Sequence, residues 1–343
     1  AELIREEIKV KDAAPEQEEV IITRHGPILN SLAPDFTGEQ PLALRWTALE
    51  SDNMLTCILG MDRAGNCQEF REALRSWTVP SQNVVYADVD GNIGYSLPGK
   101  LPIRAKGDGR VPVPGWTGEY EWLGYVPFEE LPHMFNPQQG YVATANNRVV
   151  GDDYPHWIGY DHCSGARAER IVELIAATPR MSVEDFRRMQ SDQVSTTARR
   201  IAALLKPLQS DDPEVAALLE QMDGWDGHLA VDSPQAAIYE VFVRRITHRL
   251  LTGKLGGLTE RYAGKGCTPV LSEGSLMGER SRDWLINILG DPSSPWFDLG
   301  DGLRREEHLR LALRESVDFL KTACGRKMEG WAWGKLHHIT FSH

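Results

Sequence analysis

The sequence has few of the features that mark membrane and nucleic-acid-binding proteins. No run of residues approaches the roughly 18 consecutive apolar residues that a membrane-spanning helix requires. The 49 acidic residues outnumber the 37 basic ones, which gives a formal net charge of -12. A nucleic-acid surface instead concentrates Lys and Arg against phosphates. We therefore expect neither a membrane nor a nucleic acid among the partners of this protein.

Cysteine is also scarce. The 343 residues contain no CxxC pair, and their five cysteines are widely spaced: Cys57, Cys67, Cys163, Cys267 and Cys324. A disulfide-stabilised scaffold needs many cysteines in a short chain. A bridge between Cys57 and Cys67 is one alternative, but the spacing favours buried or free thiols.

Common catalytic signatures are missing as well. The sequence contains no GxSxG, HExxH, Walker A or GxGxxG motif. His337, His338 and His343 lie near the C-terminus, but the first two are adjacent and would diverge on a strand, so we do not predict zinc there. Cys163 follows His162, yet catalytic partners are rarely neighbours in sequence. The residues alone therefore reveal no nucleophile.

The first half of the sequence has the pattern of short β-strands joined by turns. Residues 20–23 form a β-branched run, and residues 84–89 and 92–95 flank Asp90-Gly91 like the strands of a hairpin. Asp-Gly supplies the positive φ angles of a type I′ turn. A calcium loop is the alternative for this Asp-rich stretch, but its Gly and Glu positions do not match an EF-hand. The turn is therefore the favoured interpretation.

The second half has the pattern of helices. Ser182 is followed three residues later by a carboxylate, as in a capping box, and Asp212 precedes the first-turn residue Pro213. Two apolar stripes have helical spacing: Val215, Leu218, Leu219 and Met222, and Leu309, Leu313, Val317 and Leu320. Strands followed by helices predict an α+β fold. We expect a β-rich domain at 1–163 and a mainly helical domain at 164–343.

Two adjacent asparagines, Asn146 and Asn147, follow a strand-like run at 140–145. Asparagine is a poor strand residue, so such a pair marks either a turn or a functional site. An asparagine amide is a neutral double donor, suited to the negative oxygen of a tetrahedral intermediate. Residue chemistry alone favours the turn.

A series of segments resembles the penicillin acylase (penicillin amidase) family in the family's own order. They are PSQNVVYAD (80–88), GNIGY (91–95), PVPG (112–115), NPQQGY (136–141), NN (146–147), DYP (153–155) and AERI (168–171). Weaker similarity occurs at residues 23–27, 45–47, 189–192 and 333–337. Each motif is weak by itself, but together they cover essentially the whole chain.

The resemblance implies a partial αββα sandwich of the N-terminal-nucleophile hydrolase type. In that family a precursor cuts itself and exposes a serine, whose hydroxyl attacks an amide carbonyl while its α-amine serves as base. Residue 1 here is Ala, so the resemblance implies an inner portion of the large chain with the nucleophilic serine outside it.

We accordingly expect part of an enzyme that hydrolyses N-acyl amides, such as β-lactam side chains or acyl-homoserine lactones, through an acyl-enzyme. Its expected partners are the small-molecule substrate and the missing nucleophile-bearing segment or chain. The alternative is a catalytically inactive fragment, or a scaffold subunit that needs a nucleophile-bearing chain in trans.

The resemblance also assigns four site residues. Asn146 aligns with a side chain of the oxyanion hole, and Arg170 with an arginine that organises this asparagine and the substrate region. A surface arginine at a helix start is the alternative for Arg170. Trp46 aligns with an aromatic wall of the acyl pocket, although plain core packing is favoured for it. Gln82 aligns with an apolar pocket position in phenylacetyl-preferring members, which argues against a simple penicillin G preference.

Members of the family can carry a structural Ca²⁺, for which Asp161 is the nearby candidate ligand. Most of the carboxylates belong to segments not present here. We therefore expect no cofactor and no metal in this chain, while a structural Ca²⁺ is compatible with the full-length parent. We expect a periplasmic or secreted parent protein. Because the first residues contain no apolar signal core, the export signal of such a parent would lie outside this chain.

Overall fold

A computed structural model describes residues 1–32, 38–50, 53–262 and 277–341. These residues form two compact units, Ala1–His162 and Cys163–His343. Every strand of the described residues lies in the first unit, and the longest helices lie in the second. The chain is therefore an α+β protein, as its sequence predicts. Cys267 and His343 lie outside the described residues.

The first unit contains three small antiparallel sheets. Sheet one joins β1 (Glu2–Ile8), β2 (Glu16–Thr23) and β3 (Gly26–Pro27); sheet two joins β4 (Val84–Ala87), β5 (Ile93–Ser96) and β8 (His133–Phe135); sheet three joins β6 (Pro102–Arg104) and β7 (Trp122–Tyr125). Strands β1 and β2 pair along their whole length, with Glu2 opposite Ile22 and Ile8 opposite Glu16. The strand predicted at 20–23 is confirmed as the end of β2.

Two helices in the first unit depart from the mostly-β expectation. They are α1 (Met54–Arg63) and α2 (Cys67–Ala73). The side chains of Asn53 and Asn66 cap them by accepting hydrogen bonds from first-turn N–H groups. With 10 and 7 residues, both helices are too short for apolar periodicity to identify them reliably.

The hairpin prediction is confirmed in its strands and corrected in its turn. The loop is longer than two residues, because the N–H of Asp88 donates to the carbonyl of Asn92 at 3.0 Å. Within the loop only Gly91 has a positive φ, +87°, whereas a type I′ turn needs two such residues. The Asp88 carboxylate accepts hydrogen bonds from the N–H groups of Asp90 and Asn92. This carboxylate therefore stabilises the turn.

The described residues of the second unit are mainly helical. Its helices are α3 (Ala166–Ala177), α4 (Val183–Gln190), α5 (Thr196–Leu205), α6 (Pro213–Met222), α7 (Pro234–Leu255), α8 (Thr259–Tyr262), α9 (Met277–Gly290) and α10 (Arg305–Cys324). Both predicted helix starts are confirmed. Ser182 and Asp185 form a reciprocal capping box, and the Asp212 side chain accepts from the N–H groups of Glu214 and Val215.

The core of the second unit surrounds α7. The predicted stripe of α10 is buried against this core, since each of its four residues is at most 1% exposed: Leu309, Leu313, Val317 and Leu320. In the α6 stripe, Val215, Leu218 and Met222 are buried, and Leu219 is partly buried against the same core. The two amphipathic patterns therefore identify core-facing surfaces correctly.

Free thiols are present at Cys67, Cys163 and Cys324. Cys57 is buried and the other three are partly buried. The alternative of a Cys57–Cys67 bridge is therefore wrong. No described helix combines the length and the apolar character needed to cross a membrane.

Truncation of a core residue of α7 tests this packing. Ile246 is fully buried, so Ile246→Ala removes methyl groups and leaves a cavity, and we expect a loss of about 2–5 kcal/mol in the free energy of unfolding. Leu311→Ala is the matched control, because Leu311 is 38% exposed and should lose about 1 kcal/mol or less. Urea denaturation measures both; equal losses would contradict the assigned core.

Candidate functional site

Asn146 lies in a bend rather than at the end of a strand. Its backbone φ is +63°, and no strand is assigned across residues 140–145. The strand-like expectation for this run is therefore wrong; a β-like composition forms a strand only where a ladder partner is available. Asparagine tolerates the left-handed region better than most side chains, because its short polar group can form local hydrogen bonds.

The side chain of Asn147 stabilises this bend. Its Oδ1 accepts a hydrogen bond from the N–H of Ala145 at 3.1 Å, and its Nδ2 donates to the carbonyl of Arg148 at 2.9 Å. Such bonds from an asparagine to its own backbone neighbours are typical of turns. The asparagine pair thus does form a turn, which uses the Asn147 side chain, while Asn146 is exposed.

Arg170, on α3, belongs to a part-buried ion-pair network. Its Nε and Nη2 donate to the two oxygens of Asp192 at 2.9 and 2.7 Å, and its Nη1 donates to Glu173 at 2.9 Å. The side chains of Arg170 and Asp192 are only 22% and 18% exposed. Bidentate arginine–carboxylate pairing fixes both position and orientation. This pair ties α3 to the segment that precedes α5.

The network continues with alternating charge. Arg199, on α5, donates to the same Glu173 oxygen at 2.7 Å, so the charges run Arg199, Glu173, Arg170, Asp192. The Arg170 guanidinium lowers the pKa of Asp192 below its ordinary value, and Arg199 followed by Arg170 lowers the pKa of Glu173. Both carboxylates are therefore held as anions at neutral pH.

Sequence reasoning did not assign roles to the three other members of this network. Glu173 stands three positions after Arg170, on the same helix face, which is a readable signal. Asp192 and Arg199 are brought in by tertiary structure, from 22 and 29 positions further along the chain, and no local pattern predicts them.

The two residues aligned with the acyl pocket are exposed. Trp46 is 53% exposed, so the favoured interpretation of plain core packing is wrong for it. It lies in extended conformation directly before a short 3₁₀ turn at Thr47–Leu49. Gln82 is exposed and lies two residues before β4. A cavity of about 490 Å³ between α2 and the β4–β5–β8 sheet is lined by other residues.

Metal ligands do not gather in the described part of the chain. It contains no group of three or more His, Cys, Asp or Glu side chains placed to hold a metal ion. Asp161, the candidate calcium ligand, is exposed. His337 stacks on Trp333, with ring centroids 4.9 Å apart. The expectation about calcium in a longer parent stays a prediction.

Comparison with known proteins decides the family. The sequence model of the family described as Penicillin amidase matches residues 1–343. The chain belongs to the penicillin amidase family. The resemblance read from the ordered motifs is therefore confirmed.

Similar curated proteins include both penicillin acylases and acyl-homoserine lactone acylases. A penicillin acylase 2 proenzyme from Pseudomonas sp. (strain SE83) is 35% identical over 254 residues, which cover 74% of this chain and 32% of that protein. The acyl-homoserine lactone acylase QuiP of Pseudomonas fluorescens is 30% identical over 352 residues, covering 97% and 42%. Penicillin G acylase of Escherichia coli is 31% identical, covering 96% and 41%. The chain spans less than half the length of these relatives.

A solved structure of the penicillin amidase family has the same fold. Thermostable penicillin G acylase from Alcaligenes faecalis aligns with a TM-score of 0.72 at 22% identity, covering 96% of this chain and 62% of that chain. The α+β fold expected from the family resemblance is confirmed by this likeness.

The Arg170–Asp192 pair predicts how stability changes with acid. Because the folded-state pKa of Asp192 is lowered, its ionised form stabilises the fold fully above the unfolded value of 3.8. That contribution is lost as pH falls through the folded pKa. Asp192→Asn removes the titrating group, so this variant should lose less stability than wild type between about pH 6 and about pH 3.

Urea unfolding of both proteins at the two pH values measures the difference. Asp152→Asn is the matched control, at a carboxylate whose side chain is 95% exposed, and should keep the wild-type pH dependence. An unchanged acid response in Asp192→Asn would contradict the stabilising role of the pair.

Proposed function

We propose that this chain is part of an amidase that hydrolyses N-acyl amides through an acyl-enzyme, with Asn146 as one donor of its oxyanion hole. Membership of the penicillin amidase family supports the reaction class. Relatives are named for penicillins and acyl-homoserine lactones, compounds in which an acyl group is joined through an amide. β-Lactam side chains and acyl-homoserine lactones are accordingly the proposed substrate classes.

The conformation of Asn146 is the observation that carries this proposal. A non-glycine residue at φ +63° is uncommon, and such backbone conformations concentrate at functional sites. The neighbouring Asn147 uses its own side chain to hold the bend. Beside it, Asn146 is exposed, and its amide is of the chemical type that donates to a substrate oxygen.

In the proposed reaction, a serine outside this chain attacks the amide carbonyl, with its α-amine as base. The carbonyl oxygen becomes an anion in the tetrahedral intermediate. The Nδ2 group of Asn146 donates to that oxygen without introducing a charge of its own. A donor preorganised for the oxyanion acts mainly in the transition state, and loss of one typically lowers kcat by about 10²–10³.

Arg170 is proposed as a positioning residue. Its Nε, Nη1 and Nη2 each donate to Asp192 or Glu173, which fixes α3 against the segment that precedes α5. Trp46 and Gln82 are proposed as contacts of the acyl group, which their exposure permits. The Gln82 amide favours acyl groups that can hydrogen-bond over a purely apolar phenylacetyl group.

Substitution of the two asparagines in the full-length enzyme tests the oxyanion assignment. Asn146→Gly removes the amide while keeping the left-handed backbone accessible, so kcat should fall by about 10²–10³ with KM nearly unchanged. Asn146→Ala should lower kcat equally but lose further stability, because alanine is strained at this φ. Asn147→Ala is the matched control; it should lower the melting temperature and leave kcat near wild type.

Steady-state kinetics and melting curves on the three variants separate the two roles. A well-folded Asn146→Gly enzyme with near-wild-type kcat would remove Asn146 from the reaction. A selective loss of kcat in Asn147→Ala would mean that Asn147, and not Asn146, is the donor.

The second candidate is a catalytically inactive fragment, or a scaffold subunit that needs a nucleophile-bearing chain in trans. The matched residues cover only 32–42% of the lengths of these relatives, and this observation favours the second candidate. We expect the 343-residue chain alone to release no leaving group from a chromogenic N-acyl amide, because no nucleophile is recognisable in it. Addition of the nucleophile-bearing segment should restore turnover if the amidase proposal holds. Turnover by the chain alone, above a heat-treated control, would contradict the placement of the nucleophile outside it.

A further inference from the structure

Two helix starts in the second unit face a common cavity of about 250 Å³. One wall comes from the start of α3, with Ala166, and another from the start of α5, with Thr196 and Thr197. Other polar walls include Tyr239 of α7 and Arg282 of α9. The cavity is smaller than the roughly 300–1,000 Å³ of typical ligand pockets, so it suits a small ion better than an N-acyl substrate.

Both helix starts supply positive potential, and the start of α5 supplies donors, whereas the N–H of Ala166 in α3 already donates to the Ser164 hydroxyl at 3.3 Å. The first backbone N–H groups of a helix have no intrahelical acceptor, and the helix dipole makes that end positive. In α5 the Ser195 side chain accepts from the N–H of Ala198 at 3.1 Å, which leaves the N–H groups of Thr196 and Thr197 as the first-turn donors. The Thr196 hydroxyl reaches the Ala166 carbonyl at 3.4 Å, which ties the two starts together.

Tyr239 is the observation that points independently to a ligand. It is 1% exposed, and within the described part of the chain its hydroxyl makes no hydrogen bond. The Arg282 guanidinium and the Ser195 hydroxyl lie near it without reaching hydrogen-bond geometry. Burial raises the pKa of Tyr239 to about 12, so it stays a protonated donor at neutral pH. A buried donor without an acceptor lowers the free energy of unfolding, and such groups normally have a hydrogen-bond partner.

The charged groups of the wall are mainly positive. Arg167 and Arg282 line the cavity against one carboxylate, Glu240, which accepts from Arg282 at 2.9 Å. The nearby Asp283 accepts from the Ser164 hydroxyl at 2.9 Å. Guanidinium groups, hydroxyls and helix-start N–H groups are the donors that proteins use for oxyanions.

We propose that this cavity binds a small oxyanion, held by the Tyr239 hydroxyl, the N–H groups of Thr196 and Thr197 at the start of α5, and Arg282. Phosphate, sulfate and short carboxylates share the required chemistry. A carboxylate is planar, whereas phosphate and sulfate are tetrahedral. The relative affinities of the three anions therefore identify which class of oxyanion the cavity binds. Binding at this cavity requires no amidase activity.

Binding is measured by calorimetric titration of the full-length protein with sodium phosphate, sodium sulfate and sodium acetate. Sodium chloride keeps the ionic strength constant, because non-specific charge effects are screened equally. At least one of the three anions should bind. Preference for acetate would assign a carboxylate ligand, and preference for phosphate or sulfate a tetrahedral one.

Tyr239→Phe removes only the unpartnered hydroxyl. We expect this variant to be at least as stable as wild type without anion, since a buried unsatisfied group disappears, and to bind the anion about tenfold or more weakly. Thr197→Val should also weaken binding, through loss of a hydroxyl that lines the cavity. Tyr95→Phe is the matched control: Tyr95 is 5% exposed and donates to Asn83 at 2.5 Å. This control should lower the melting temperature and leave anion affinity unchanged.

Two results would overturn the proposal. One is that wild type binds none of the three anions beyond the chloride control. The other is that a folded Tyr239→Phe protein binds its anion with wild-type affinity.

Discussion

Burial of α7 is the constraint on which the helical unit depends. Ten of its 22 residues are buried, and they lie around the helix instead of along one stripe. A helix that is apolar on several sides must be covered on several sides. The stripes of α6 and α10 provide part of that cover, together with Leu285 and Leu289 of α9. The amphipathic helices of this unit have a common core because α7 cannot face water.

The same burial carries polar groups into the interior. Ile238 and Phe242 fix the start of α7 in the core, and Tyr239 between them is buried with its hydroxyl beside the starts of α3 and α5. A polar group inside a packed unit must find a partner or destabilise the fold. Arg170 and Asp192 meet this requirement by bidentate pairing. The Tyr239 hydroxyl meets it only if something occupies the cavity.

In the asparagine pair, a structural role lies next to a proposed functional one. Asn147 is committed to the bend by two hydrogen bonds with its neighbours. Its neighbour Asn146 has the left-handed backbone and an exposed position. Turn and site were alternatives when only residue chemistry was considered. In the folded chain the bend uses the side chain of Asn147, and the site role is proposed for Asn146 alone.

The sequence by itself determined the features that depend on residues within about ten positions of each other. The caps at Ser182 and Asp212 and the stripes of α6 and α10 are of this kind, since capping and helix amphipathicity are local. The order of weak motifs determined the family. Tertiary structure alone decided that Trp46 is exposed, that Arg170 meets Asp192, and that the run before Asn146 is not a strand. Those outcomes depend on pairs of residues far apart in sequence, and on whether a ladder partner is present, which local patterns do not encode.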